Sequence, residues 1–282
     1  MRVVFLIYIL FSSLSFSKDS NVFDWIDSLP KPWTLTEKDF SSYLPIFKER
    51  FPDFHERIKA INLWRVGTPY GIFKLGEEKE PDTDPILRID TSDCTVHVLT
   101  TLAFAQSIDW NSSREAMIDI HYKVNDSGKK EPTFKSRWHY TSDRILNHPQ
   151  TVNITSRLLP RSKLEEVTIA LNRKKDGSEF LDLDWISNQN ILFIPSEMIE
   201  QITMQDIPEV CGIAFVKRSY FSMGIVIAHE GYLIDRKYLI HASSKKEKTV
   251  KVEFFNYYFK ESGPAFDGIM IYELRRKIQK LF

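Results

Sequence analysis

Only two cysteines, Cys94 and Cys211, occur in the 282 residues. Two thiols make at most one bridge, so a disulfide framework is excluded. Glycine is scarce at 10 residues, and the 13 prolines follow no repeat, which excludes collagen-like and low-complexity chains. Neither sign of charge is in excess, because 38 basic residues balance 38 acidic ones. A domain held to nucleic acid by bulk charge carries a basic surplus, so no nucleic-acid partner is expected. No solenoid period repeats. The spacings His-x-x-x-His and Cys-x-x-Cys and a glycine-rich phosphate loop are all missing, so no metal and no nucleotide cofactor is expected.

What remains is rich in core-forming residues, with 43% apolar and 13% aromatic side chains. That is ample for one large packed domain. The first residues have a different character. Arg2 precedes an apolar run from Val3 to Phe11, and Ser15-Phe16-Ser17 has the small-x-small pattern of a cleavage site. Residues 1–17 therefore read as a secretory signal peptide, too short in its apolar part to span a bilayer. The protein is expected to be exported, periplasmic or secreted, with no stable membrane span after cleavage. An N-terminal helical segment over 18–54 and a main domain over 55–282 follow.

Thr36 to Asp39 has the form of a helix N-cap, and Phe40, Tyr43, Leu44 and Phe47 follow at helical spacing. A second helix is expected over 55–65, ending at Gly67. Thr91-Ser92-Asp93 offers caps for a third helix whose first turn holds Cys94. The last third is strand-like: 213–216, 223–227, 232–241, 250–255 and 268–272 are short runs rich in β-branched and aromatic residues, bounded by turn formers. Helices first and an antiparallel sheet afterwards is the α+β pattern.

Cys94 is the first candidate for chemistry. A thiol in the first turn of a helix faces unpaired N–H groups and the positive end of the dipole, and the thiolate is the attacking species. Against this stands the ordinary role of a lone cysteine as a small core residue. His241, at the end of the apolar strand 238–240, is the second candidate; its alternative is a half-buried structural histidine. His97 lies one helical turn after Cys94, where a core role is the simpler reading.

Taken in order, Gly67-Thr68-Pro69-Tyr70, Asp93-Cys94, Arg137-Trp138-His139-Tyr140-Thr141-Ser142-Asp143, Phe193-Ile194-Pro195, Gly224-Ile225 and His241-Ala242-Ser243-Ser244 form a set. Over residues 55–275 the chain resembles the N-acetylmuramoyl-L-alanine amidase-like family of bacterial cell-wall hydrolases, within the NlpC-type papain-like group. The resemblance implies a papain-like fold, helices followed by an antiparallel sheet or half-barrel, and no cofactor. It implies Cys94 as nucleophile and His241 as the polar residue that holds the catalytic imidazole. It implies Tyr70 as a substrate contact and brings Arg137, His139 and Asp143 near the cleft. The implied partner is peptidoglycan or its muropeptide fragments.

One position departs from the pattern. The family's general base is a histidine in a Ser-His-Val-Gly-Ile type run. Aligned on Gly224-Ile225, that position holds Ser222, whose hydroxyl cannot take a proton near neutral pH as imidazole does. His229 follows on the expected strand, about 23 Å further along at about 3.3 Å per residue, and reads as a poor substitute. Two functions therefore stand: an exported hydrolase that cuts a peptidoglycan amide through a cysteine thioester, or an impaired relative that binds cell-wall fragments without cleavage. A third possibility is a structural Cys94–Cys211 bridge in an envelope interaction protein.

Overall fold

The computed structural model describes residues 24–277 other than Asp126 and Thr203. The leader expected over 1–17 and the chain end from Ile278 lie outside the described residues. Four helices form one layer. In α1 (Glu37–Arg50) the Thr36 hydroxyl accepts from the Asp39 N–H at 3.1 Å, and Phe40, Leu44 and Phe47 are buried at the expected spacing. Asp53 caps α2 (Phe54–Trp64), Asp93 caps α3 (Cys94–Gln106) and Asp109 caps α4 (Trp110–His121). Each aspartate satisfies an N–H group that the first turn leaves without a partner. Every residue of α3 from Val96 to Ala105 is buried, so α3 is the central helix rather than an amphipathic one. Phe40 stacks on Trp64 at 5.2 Å and meets Phe104 at 4.5 Å, so α1 shares one core with α2 and α3. Two shorter helices follow, α5 (Thr141–Asn147) and α6 (Thr155–Leu158).

The strands are β1 (Thr151–Asn153), β2 (Glu165–Leu171), β3 (Ser187–Pro195), β4 (Val210–Val216), β5 (Ile227–Ile234), β6 (Tyr238–Ser243), β7 (Lys248–Glu253), the short pair β8 (Phe259–Lys260) and β9 (Gly263–Pro264), and β10 (Gly268–Leu274). The main sheet runs β2-β3-β10-β4-β5-β6-β7, with β1 also paired to β10. All its pairings are antiparallel. Strand β4 is buried throughout, and its alternation serves two cores. Val210, Ala214 and Val216 face the helical layer, while Cys211, Ile213 and Phe215 face a second cluster with Leu233, Phe254 and Tyr258. The α+β expectation therefore holds. Among the described residues no helix is long and apolar enough to cross a membrane.

Three local expectations are corrected. The run 223–227 is not a continuous strand: residues 218–223 form a 3-10 helix closed by Gly224 at φ +72°, and β5 starts only at Ile227. A Cβ on Gly224 would lie 2.6 Å from the backbone nitrogen of Arg173, so glycine there answers both the left-handed backbone and a close approach. The segment 232–241 is two strands joined through Asp235 and Arg236, both with positive φ. The run 250–255 leaves the sheet at Phe254 to start helix α7 (Phe254–Tyr258).

Candidate active site

A cleft of about 1250 Å³ opens where the start of α3 meets β5, β6 and α7, and Cys94, His229, His241, Tyr70 and Tyr257 are among the residues lining it. Cys94 occupies the first helical position of α3 and is half-buried. Asp93 makes two bonds that fix this corner. Its Oδ1 accepts from the Val96 N–H at 2.8 Å and so caps the helix. Its Oδ2 accepts from the Phe73 N–H at 2.9 Å and so holds the loop at the cleft mouth. Phe73 is 81% exposed with φ +53°, an uncommon backbone state for a bulky residue that this bond helps to maintain.

His229 enters from β5, opposite Phe215, where the β4–β5 register shifts between Phe215 and Val216. Such an irregularity re-aims a side chain locally. The His229 ring stacks on Phe215 at 5.7 Å, and its Nε2 lies 2.7 Å from Nδ1 of His241. Tyr257 closes the group with its ring 4.6 Å from that of His241. Burial pushes the His229 imidazole down to about 4. Burial and the neighbouring His229 push His241 down to about 3. Both rings are therefore neutral near pH 7.

The thiol is held protonated at rest. Burial, then the Asp93 and Glu230 carboxylates, pushes Cys94 up to about 12, while the Glu230 backbone amide and the Thr95 hydroxyl act in the opposite sense. Because Cys94 is only half-buried, solvent in the cleft tempers that rise. The cleft is thus lined by a neutral thiol at a helix N-terminus and by two neutral imidazoles. It suits a nucleophile that loses its proton as it attacks.

The other expected residues fall in different places. Tyr70 lines the cleft, and its loop is pinned by the Tyr70 N–H donating to Glu247 O at 3.0 Å. Arg137 and His139 also line the cleft. The Arg137 guanidinium is engaged by Glu77 at 2.8 Å and Asp82 at 3.0 Å, and His139 Nε2 is bonded to Phe134 O at 2.6 Å. Asp143 is buried away from the cleft surface, where it accepts from Lys123 Nζ at 2.7 Å. That ammonium in turn lies 4.6 Å from the Trp138 ring and 4.1 Å from the Trp185 ring. Asp143 thus supports the wall from behind.

Ser222 is not in the cleft. It is exposed on the 3-10 turn before Gly224 and lies beside a separate shallow depression with Arg173 and Lys175. The alignment on Gly224-Ile225 fails because no strand begins there. The run His229-Glu230-Gly231-Tyr232 near the start of β5 has the same His-x-Gly spacing as a Ser-His-Val-Gly-Ile type run, a likeness visible in the sequence. Cys211 is fully buried in β4, and neither cysteine is bridged. His97 is a core residue whose Nε2 bonds Asn62 Oδ1 at 2.8 Å. Sequence reasoning also missed Tyr257 and Glu230. Among the described residues no group of three or more His, Cys, Asp or Glu side chains is placed to hold a metal ion.

Comparison with solved structures finds the same fold elsewhere. A protein from Legionella pneumophila str. Philadelphia 1 superposes with a TM-score of 0.67 at 21% identity, over 86% of this chain and 97% of that one. An N-acetylmuramoyl-L-alanine amidase from Bacteroides uniformis superposes with a TM-score of 0.56 at 17% identity, over 78% of this chain and 99% of that one. No curated protein matches the sequence. The family described as AmiA-like, N-acetylmuramoyl-L-alanine amidase-like, matches residues 61–264, a span that holds Cys94, His229 and His241. With that match covering most of the chain, the protein belongs to the N-acetylmuramoyl-L-alanine amidase-like family.

Proposed function

We propose that the protein is an exported cysteine amidase of the bacterial cell wall, related to the NlpC-type papain-like hydrolases. The observation that carries this reading is the 2.7 Å contact between His229 Nε2 and His241 Nδ1, in the cleft that Cys94 lines. If His229 Nε2 donates this bond, its Nδ1 keeps a lone pair and becomes the general base. His241 then fixes the tautomer and orientation of the base, as a third polar group does in nucleophile–base pairs generally.

In this mechanism the Cys94 sulfur attacks the carbonyl of an amide, either the one joining the stem peptide to muramic acid or one within the stem. The thiol proton passes to His229. The C–S bond forms, the C–N bond breaks, and His229 returns the proton to the leaving amine. Water then attacks the thioester, giving its proton to His229, and the thiol is restored. The N–H of Cys94, in the first turn of α3, is the backbone donor that would stabilise a developing oxyanion. Tyr70 and Tyr257 line the substrate side. Signal-directed export follows from residues 1–17 and from the location of such a substrate.

The impaired-relative reading rested on Ser222 as the base position. The active reading is supported instead by His229 and His241, which line the same cleft as Cys94. The test is incubation of the mature protein with purified muropeptides and mass spectrometry of the products. A new amine and a new carboxyl, absent with Cys94→Ala and with His229→Ala, are expected, and the masses identify the amide. Cleavage that survives Cys94→Ala overturns the reading.

A further inference from the structure

Directly after His229 stands Glu230, a residue with no exposed surface. The run His-Val-Gly-Ile would put an apolar side chain there. An unpaired carboxylate at such depth would be prohibitive, so its partners matter. Oε1 accepts from the hydroxyls of Thr95 and Thr141, each at 3.1 Å. Oε2 accepts from Arg144 Nη2 at 2.5 Å and from the Tyr272 hydroxyl at 2.8 Å. A carboxylate has about four acceptor sites, and here four donors fill them.

These donors come from three elements: Thr95 from α3, Thr141 and Arg144 from α5, and Tyr272 from β10. Thr95 is the residue after Cys94, and Glu230 is the residue after His229. One buried side chain therefore ties the helix that carries the thiol to the strand that carries the imidazole. A hydrogen-bonded buried charge of this kind admits few alternative arrangements.

We propose that Glu230 is a positioning residue that locks Cys94 and His229 into register and sets the electrostatic state of the thiol through the Arg144–Glu230 pair. The proposal rests on the cysteine-amidase reading for its link to turnover. Its electrostatic half concerns the thiol alone. The groups acting on Cys94 are Asp93 from its own helix cap, Thr95 from its own helix, Glu230 from β5, Tyr70 from its loop and Tyr257 from α7, with His229 and His241 lining the same cleft. Those facing Glu230 are Thr95, Thr141, Arg144, Tyr272 and the neighbouring Tyr232. The counter-cation within hydrogen-bond distance of Glu230 is Arg144.

The experiment measures the pH dependence of Cys94 alkylation by iodoacetamide in Cys211→Ala protein, which needs no cell-wall substrate. Glu230→Gln removes the negative charge, and the apparent thiol pKa is expected to fall by about 1 unit. Arg144→Gln removes the compensating cation, and it is expected to rise by about 1 unit. Loosening of the fold alone would move both variants the same way, towards a free thiol. Shifts of the same sign, or no shift in either variant, overturn the proposal. Should either variant fail to fold, Thr95→Val and Thr95→Ser supply the test. Thr95→Val keeps the shape without the donor, and its kcat on muropeptides is expected to fall about 10-fold or more at unchanged KM, with recovery in Thr95→Ser. If no variant or parent cleaves muropeptides while the opposite alkylation shifts are seen, the function fails and the electrostatic role stands.

Discussion

His229 and His241 sit on neighbouring antiparallel strands and meet nitrogen to nitrogen at 2.7 Å, with the face of His229 covered by Phe215 and that of His241 approached by Tyr257. The aromatic surroundings leave each ring little freedom to rotate. They also make protonation of either ring costly, which is why the pair is neutral at the pH where a base is needed.

Loss of a positioned base typically costs about 10²- to 10⁴-fold in rate. His229→Ala is expected to lose that much in kcat/KM on muropeptides, while Ser222→Ala stays within about twofold of the parent, in line with its distant location. His241→Ala is expected to fall between the two. Initial-rate assays on one purified muropeptide decide the order, and a large loss in Ser222→Ala would reverse the assignment.

The two cysteines are expected to differ sharply in accessibility. In native protein one thiol per chain, Cys94, reacts slowly with a small alkylating agent, because burial keeps it protonated. Cys211 is fully buried and reacts only in denaturant, giving two free thiols in total. Peptide mapping after differential labelling reads both numbers.

Acid should unfold the protein early. His97, His121, His148 and His241 are all buried, and burial depresses all four, His148 to about 4 and His241 to about 3. The unfolded chain binds protons near pH 6.5 and the folded one does not, so stability is complete above about pH 6.5 and declines as pH falls below it. Each such histidine contributes a slope of about 1.4 kcal/mol per pH unit. Two acting together would remove about 3–4 kcal/mol between pH 6.5 and 5. Urea titrations at several pH values measure the slope, and a flat profile over that range contradicts the prediction.

Gly212→Ala is expected to be among the most damaging single substitutions. A Cβ there would lie 2.0 Å from the Tyr272 ring, and Tyr272 is anchored through its hydroxyl to Glu230 at 2.8 Å. With the ring unable to retreat, the cost is about 3 kcal/mol or more. Circular dichroism and a denaturant midpoint test this, with Tyr272→Leu in the same background expected to recover part of the loss.

The sequence made some of this legible and hid the rest for physical reasons. The caps at Thr36 and Asp93, the helical spacing of Phe40 to Phe47 and the thiol at the head of a helix are local properties, and they appear where the residues say. His229 was hidden because β-branched residues at 225–227 resemble a strand start. Tertiary contacts decide otherwise: Ile225 N–H donates back to Tyr220 O, and Val226 O accepts from Lys217 N–H at the strand's edge. Glu230 was hidden because a carboxylate in a strand reads as solvent-facing, and only Thr95, Thr141, Arg144 and Tyr272, scattered over the chain, make its burial tolerable. Tyr257 was hidden because the strand reading of 250–255 carried its pattern towards a helix that no local signal announced.

Asp93 has one oxygen on the first turn of α3 and the other on the backbone of Phe73, at the rim. One carboxylate thereby joins the rim loop to the helix that presents Cys94. A change that displaces the Phe73 backbone would therefore leave Asp93 with one partner fewer at the head of α3.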